Sequence, residues 1–208
     1  MVLLTGLAAR AEVTVNFEHK SVEGSPDFKF KSVPAISTKD AATNAKFTIV
    51  SGERDMAGGG LDKLHDGKPP LAEDDPDNNF FFNAGTEGGR LQVDLGGVIT
   101  IKQVNTYSCH VSTRAPQVYK LYASDGTAKD FNAAPKTGTD PEKCGWKLIA
   151  KVDTRPKSSE GGQCGVSISN ADGALGKYRY LLFDISRTEA DDDYGNTFYS
   201  EIDVIEQK

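Results

Sequence analysis

The sequence has little of what membranes, nucleic acids and thiolate metal centres require. No stretch approaches the ~20 consecutive apolar residues of a membrane-spanning helix. Lys and Arg number 24 against 30 Asp and Glu, for a formal net charge of −6, and no basic cluster stands out. That balance argues against nucleic acid or anionic lipid as a partner, because both demand gathered positive charge; neutral ligands or cations suit it better. Only three cysteines occur in 208 residues, and Cys109, Cys144 and Cys164 sit at no zinc or redox spacing. Cys144 and Cys164 either bridge across a hairpin in an oxidising compartment or remain reduced, partly buried thiols. G-x-S-x-G, H-E-x-x-H, G-x-x-x-x-G-K and G-x-G-x-x-G are all missing, and His19, His65 and His110 are not at zinc-ligand spacing. No nucleophile stands beside a base, so the chain is read as non-enzymatic. Helical periodicity of ordinary length is missing as well.

What is present is β patterning punctuated by turns. With 21 Gly, 9 Pro and 38% hydrophobic residues, the composition suits many short strands, and the length suits one large all-β domain with an extension. In GRLQVDLGGVITIKQVNTYS (89–108), Leu91, Val93 and Leu95 alternate with Gln92 and Asp94, which predicts a half-buried strand. Gly96-Gly97 then reads as a turn, and Val98, Ile99, Ile101 and Val104 as a second, adjacent antiparallel strand. Asp94 reads as a carboxylate tied to backbone donors in the turn, or else as one on the wet face. Further strands are expected over 45–50, 116–124, from Trp146 onward, over 178–185 and over 198–205. The last of these alternates Phe198, Ser200, Ile202 and Val204 against Tyr199, Glu201, Asp203 and Ile205. Tyr178 to Ile185 is apolar on both faces and reads as a central strand, in which Arg179 must be paired or reach an edge.

Residues 1–11 divide from the rest as a truncated export signal with an A-x-A type end at Ala9-Arg10-Ala11, or else as an ordinary first strand. The signal reading makes the protein secreted or periplasmic. Residues 12–42 read as an arm or edge strands, with Val13, Val15 and Phe17, then Phe28 and Phe30, alternating between Gly24, Pro26 and Pro34. The main domain then occupies 43–208. Within it, 51–79 is a long loop, 127–145 a surface insertion and 158–165 a glycine-rich turn region. The acidic runs Glu73–Asp77 and Glu189–Asp193 read as solvated or cation-attracting loops. Glycoside hydrolysis needs two carboxyl groups held at a defined separation in a cleft, which such runs do not supply.

The segments GRLQVDLGG with Ile99, Ile101 and Val104, LHDGK (64–68), KYRYLLFDI (177–185) and FYSEIDVIE (198–206) occur in an order that resembles the discoidin, or coagulation factor 5/8 type C, domains of the galactose-binding-like superfamily. The resemblance runs from about Thr43 to the end. FNAGTEGGRLQVDLG and PQVYKLYASDG are also similar to discoidin-like proteins of environmental bacteria. It implies an all-β, antiparallel β-sandwich of jelly-roll, galactose-binding-domain-like type, with Trp146 packed in the core.

In domains of that kind the Asp of the DG loop and the Glu of the terminal E-I pair hold a structural calcium ion with loop carbonyls. Carried over, the ligands are Asp66 and Glu201 with the carbonyls of Leu64 and Lys68, and Asp62, Asp77 and Asn79 are further oxygen donors. Hard oxygens from carboxylates and a glycine-containing loop are what calcium prefers; His65 and Lys68 depart from the oxygen-rich pattern. The residues alone leave a second reading open, in which Asp66 bonds only its own turn and Glu201 pairs with a Lys or Arg.

A ligand face is expected from His110, Arg114, Tyr194 and Asn196, which supply the donors, the planar surface and the amide that recognise sugar hydroxyls. The same residue types also populate solvated loops. Carbohydrate-binding relatives bring a His or Arg to the sugar from the loop after the "v.v" strand, which implies His110 and Arg114. The functional expectation is therefore non-catalytic binding of a carbohydrate or glycan. The alternatives are a scaffold domain docking an extracellular protein partner and, least favoured, a polysaccharide hydrolase.

Overall fold

Leu91 and Val93 are fully buried, and so are Ile101 and Val104 ten residues further on, because one continuous strand carries all four. The computed structural model describes residues 12–21, 26–155, 161–189 and 196–208; the export-signal reading of 1–11 lies outside them. Among the described residues the strands are β1 (Val13–Lys20), β2 (Lys46–Ser51), β3 (Gly88–His110), β4 (Val118–Ser124), β5 (Lys147–Asp153), β6 (Gly162–Asn170), β7 (Gly176–Ser186) and β8 (Tyr199–Glu206). Every pairing is antiparallel.

The 23-residue β3 serves both layers of a β-sandwich. Its first part pairs with β2 and β7, and the sheet continues through β4 to β5. Its second part pairs with β6 and β8, with β1 outside β6. Gly96-Gly97 is therefore not a hairpin turn. The register against β7 slips between Asp94 and Ile99, and Gly96 takes up φ +79° in open space. The two glycines form a bulge where the strand passes between layers, and bulges bend a strand without reversing it. Asp94 anchors the bend, accepting from Gly96 N at 2.9 Å and binding Arg179 through two hydrogen bonds of 2.8 and 2.9 Å.

Leu91, Val93, Leu121 and Phe183 from one layer meet Val104, Val166, Ile168, Ile202 and Val204 from the other. β7 is covered on both faces, Leu181 and Phe183 by the core between the layers and Leu182 by Trp146 and Tyr122, which explains why it is apolar on both. Trp146 packs with Tyr122 and Leu182, and its indole N–H donates to Asn132 O at 2.8 Å.

The second layer is buried on its outer face too. Residues 26–36 lie across it, not as a strand but as irregular chain, with Phe28 and Val33 packed on Tyr107 and Cys109. The alternation expected in β8 breaks as well. The register shifts opposite Tyr107 and Ser108, so Tyr199 joins Ile202 and Val204 in the core. The 158–165 region is not a turn throughout, because Gly162 to Gly165 belong to β6. No disulfide joins Cys109, Cys144 and Cys164 among the described residues; Cys144 packs beside the Trp146 cluster, whereas Cys164 pairs with Ser108 in the other layer.

Arg90 fixes the 127–145 insertion. Its guanidinium binds Asp184 at 2.8 and 3.2 Å and donates to the carbonyls of Pro135, Lys136 and Thr139 at 2.8–3.0 Å. Removing one partner of a buried ion pair leaves the other uncompensated, so Arg90→Ala is expected to cost about 3 kcal/mol. Thermal unfolding should show a fall of roughly 6–12 °C, and a fall under 2 °C would show that the insertion is held by something else.

Candidate functional site

β3 ends at His110, and β8 begins at Tyr199 beside it, so the segments 110–117 and 196–198 meet at one end of the second layer. The first is locked by a buried polar network. Thr106 Oγ1 donates to Gln117 Oε1 at 2.5 Å, Gln117 Nε2 donates to Ser108 Oγ at 3.0 Å, and Ser108 Oγ donates to Ala115 O at 2.6 Å. Buried polar groups fully satisfied in this way hold a loop in one conformation. Phe198 N then donates to Arg114 O at 2.9 Å, which joins the two segments.

The result is a concavity of about 470 Å³ lined by Asp55, Asp74, Phe81, His110, Arg114 and Phe198, with Ala57, Pro76, Ser112 and Thr113 around them. A few polar groups on an apolar floor is the usual composition of a small-ligand pocket. Phe81 and Phe198 stack with centroids 4.0 Å apart. The Arg114 guanidinium lies over both rings, 4.5 and 4.1 Å from their centroids, and its Nε donates to Asn196 O at 3.0 Å. Packed thus, a planar cation is held by the ring faces and keeps a fixed orientation.

The His110 ring meets Phe198 edge to face at 4.5 Å. Ser112 N donates to its Nδ1 at 3.1 Å, which leaves the ring proton on Nε2. Burial, and then the nearby Arg114, hold its pKa below the usual value, against the pull of Asp74. Neutral His110 therefore presents an N–H donor towards Asp74 Oδ1, 3.7 Å away. That gap is too long for a direct hydrogen bond.

Of the four expected ligand residues, His110 and Arg114 come together in this concavity. Asn196 does not line it: its amide turns inward and donates to Asn83 O and Thr86 O at 2.8 and 3.2 Å. Tyr194 lies outside the described residues. Asp74 belongs to the run read from sequence as solvated. Asp55 gave no sequence signal of its own, because the long 51–79 loop hides which of its residues folds back, and the aromatic pattern at Phe81 and Phe198 does not tell a core ring from the floor of a pocket.

The Asp66 bend and Glu201 also meet, on the outer face of β8. Gly67 N donates to Glu201 Oε2 at 2.9 Å, and Asp66 Oδ1 accepts from Lys68 N at 3.0 Å. Leu64 is fully buried. Neighbouring Asp203 accepts from Ser37 N at 3.0 Å and from Tyr107 OH at 3.3 Å. Burial is the main force raising the pKa of Glu201 to about 9 and that of Asp203 to about 7; Asp203, Asp66 and Asp40 add like charge around Glu201. No Lys or Arg ion pair neutralises Glu201 among the described residues; Lys63 Nζ stands 3.4 Å from Asp66 Oδ2 instead. Buried carboxylates repelling one another fit a hard divalent cation in charge and donor type. Among the described residues, however, no three His, Cys, Asp or Glu side chains converge on one point, so backbone carbonyls must complete any such site.

No family model and no curated protein sequence matches the chain. Among solved structures the chain is similar to the lectin domain of lectinolysin complexed with Lewis B antigen, at 13% identity and a TM-score of 0.51, over 83% of this chain and 100% of that one. It is similar also to a structure of GH31 CBM32-2 bound to GalNAc, at 13% identity and a TM-score of 0.50, over 79% of this chain and 98% of that one. At such identities the likeness shows the fold alone, an antiparallel β-sandwich.

Proposed function

We propose that this chain is a non-catalytic carbohydrate-binding module, acting outside the cell or in the periplasm. The observation that carries this reading is the His110 and Asp74 pair above an aromatic floor. An N–H donor and a carboxylate acceptor 3.7 Å apart can share one sugar hydroxyl, which accepts from Nε2–H and donates to the carboxylate. Ser112 and Thr113 add hydroxyls at the rim, and the apolar Ala57, Pro76 and Phe81 suit the C–H faces of a pyranose ring. The sugars bound by the similar solved domains, Lewis B antigen and GalNAc, support the same class of ligand. Affinity for one sugar is expected near ~1 mM, about −4 kcal/mol, so retention on a surface would need several copies or a linked partner.

A glycan array probed with the full chain tests the reading. Retention of a defined set of glycans is expected, with His110→Ala reducing it at least tenfold. An empty array, or retention unchanged in the variant, would move the function to protein docking or to another face.

The same proposal includes a structural calcium ion held by Asp66 and Glu201 with the carbonyls of Leu64 and Lys68. The ion would neutralise the buried carboxylates and brace the 64–68 bend against β8. Its chemistry is charge compensation alone.

A further inference from the structure

We propose that the pocket is selective for ligand charge, with Asp74 as its specificity-determining residue: it takes a neutral sugar hydroxyl and rejects the same position as a carboxylate or sulfate. This rests on the carbohydrate reading above and names the chemistry that the site prefers.

The first reason is donor and acceptor balance. His110 is 8% exposed and lines the cavity, its Nδ1 is taken by Ser112, and its Nε2 meets no hydrogen-bond acceptor within bonding distance among the described residues. Among the described residues Asp74, 61% exposed at the side chain, has only this imidazole opposite it. A group between them must accept from Nε2–H and donate to the carboxylate. A hydroxyl does both; a carboxylate or sulfate has no proton for Asp74, and an ammonium has no lone pair for Nε2–H.

The second reason is the field at the mouth. Asp55 adds a second carboxylate to the lining, fixed by Ala57 N at 2.9 Å and Ala84 N at 3.2 Å. Glu73, Asp75 and Asp77 flank Asp74 in the same segment. Arg114 is the one cation among the described lining residues, and its guanidinium is committed to Phe81, Phe198 and the Asn196 carbonyl. Its charge still reaches His110, where it outweighs that of Asp74, and so offsets part of the repulsion, but it cannot swing out to bond an anion without leaving those partners. Discrimination built from a repulsive group in this way is a common route to specificity.

Two like charges about 5 Å apart, at an effective dielectric constant of about 50 for a side chain as exposed as that of Asp74, correspond to roughly tenfold weaker binding. The test is an array of matched pairs, each neutral glycan beside its sulfated or uronic counterpart, read with the full chain and with Asp74→Asn. The wild type should retain neutral members about tenfold better, and raising the salt should narrow that ratio. Asp74→Asn keeps an acceptor oxygen but no charge, so neutral retention should fall less than threefold while the ratio drops to about twofold. A merely structural Asp74 would lower both members together. Equal retention of both members by the wild type, or a ratio unchanged in Asp74→Asn, overturns charge selection alone. Failure to retain any glycan overturns the carbohydrate reading and this one with it.

Discussion

Replacing Arg114 with alanine is expected to abolish glycan retention and to lower the melting temperature by roughly 6–12 °C. The residue is only 9% exposed, and its side chain holds three things together. Its guanidinium covers Phe81 and Phe198 at 4.5 and 4.1 Å, each contact contributing up to about 2 kcal/mol when desolvated. Its Nε supplies the Asn196 carbonyl, a bond to a charged donor of about 1.5–3 kcal/mol. Partial relaxation of the rings brings the net loss to about 3 kcal/mol, hence the temperature shift. With the cation gone, Phe198 can tilt, and His110 packs edge to face on that ring. Arg114→Lys separates charge from shape: it keeps the positive charge but loses the planar group that lies over the rings, so it should recover part of the stability and little of the binding. Binding of the best array glycan by Arg114→Ala at wild-type affinity would remove the Arg114 stack from the site.

With chelator present, the melting temperature is expected to fall by about 4–8 °C between pH 6.5 and 8.5. Burial raises Glu201 to about 9 and Asp203 to about 7, above their unfolded values of about 4.3 and 3.9. The folded chain therefore holds protons that the unfolded chain has lost. That contribution is complete below about pH 4 and drains as the pH climbs through the two folded values. Because the two carboxylates titrate together, the loss over this window is about 2 kcal/mol in sum rather than a full increment from each. His110 has the opposite sign: its lowered pKa costs stability as the pH falls through the ordinary imidazole value of about 6.5, which at the lower edge of the window offsets the trend by about 0.4 kcal/mol at most.

Calcium should reverse the trend, since a cation favours the ionised carboxylates. At tenfold excess over its dissociation constant it contributes about 1.4 kcal/mol, and more at pH 8.5 than at pH 6.5. Glu201→Gln should flatten the chelated curve and remove the calcium response, while Asp66→Ala should remove the response and keep the slope. A chelated curve without slope across the window would place both carboxylates in a wetter setting than their burial implies. A calcium rise surviving both substitutions would put the ion elsewhere.

Period-2 alternation and turn residues were enough to determine an all-β chain. Leu91, Val93 and the apolar run from Tyr178 to Ile185 can be buried only on a pleated, half- or fully covered surface, so their pattern fixed their faces locally. The nearness of His110 and Arg114 was legible because the first ends β3 and the second follows within four residues, and strand ends set the position of the next few residues. What lies beyond that reach was decided by contacts distant in sequence. Gly96-Gly97 could serve a hairpin or a bulge, since positive φ is common to both, and only the partner strand β7 selected the bulge. Ser200 broke the alternation of β8 because its ladder to β3 slips by one residue, which no local preference encodes. Asp74, Asp55 and Phe81 reached the pocket through a long loop whose path is set by where its ends are anchored. Asn196 turned inward because two carbonyls waited there, at Asn83 and Thr86. Local sequence thus sets which side chains an element can bury, whereas the closing of distant segments on one another sets which of them share a site.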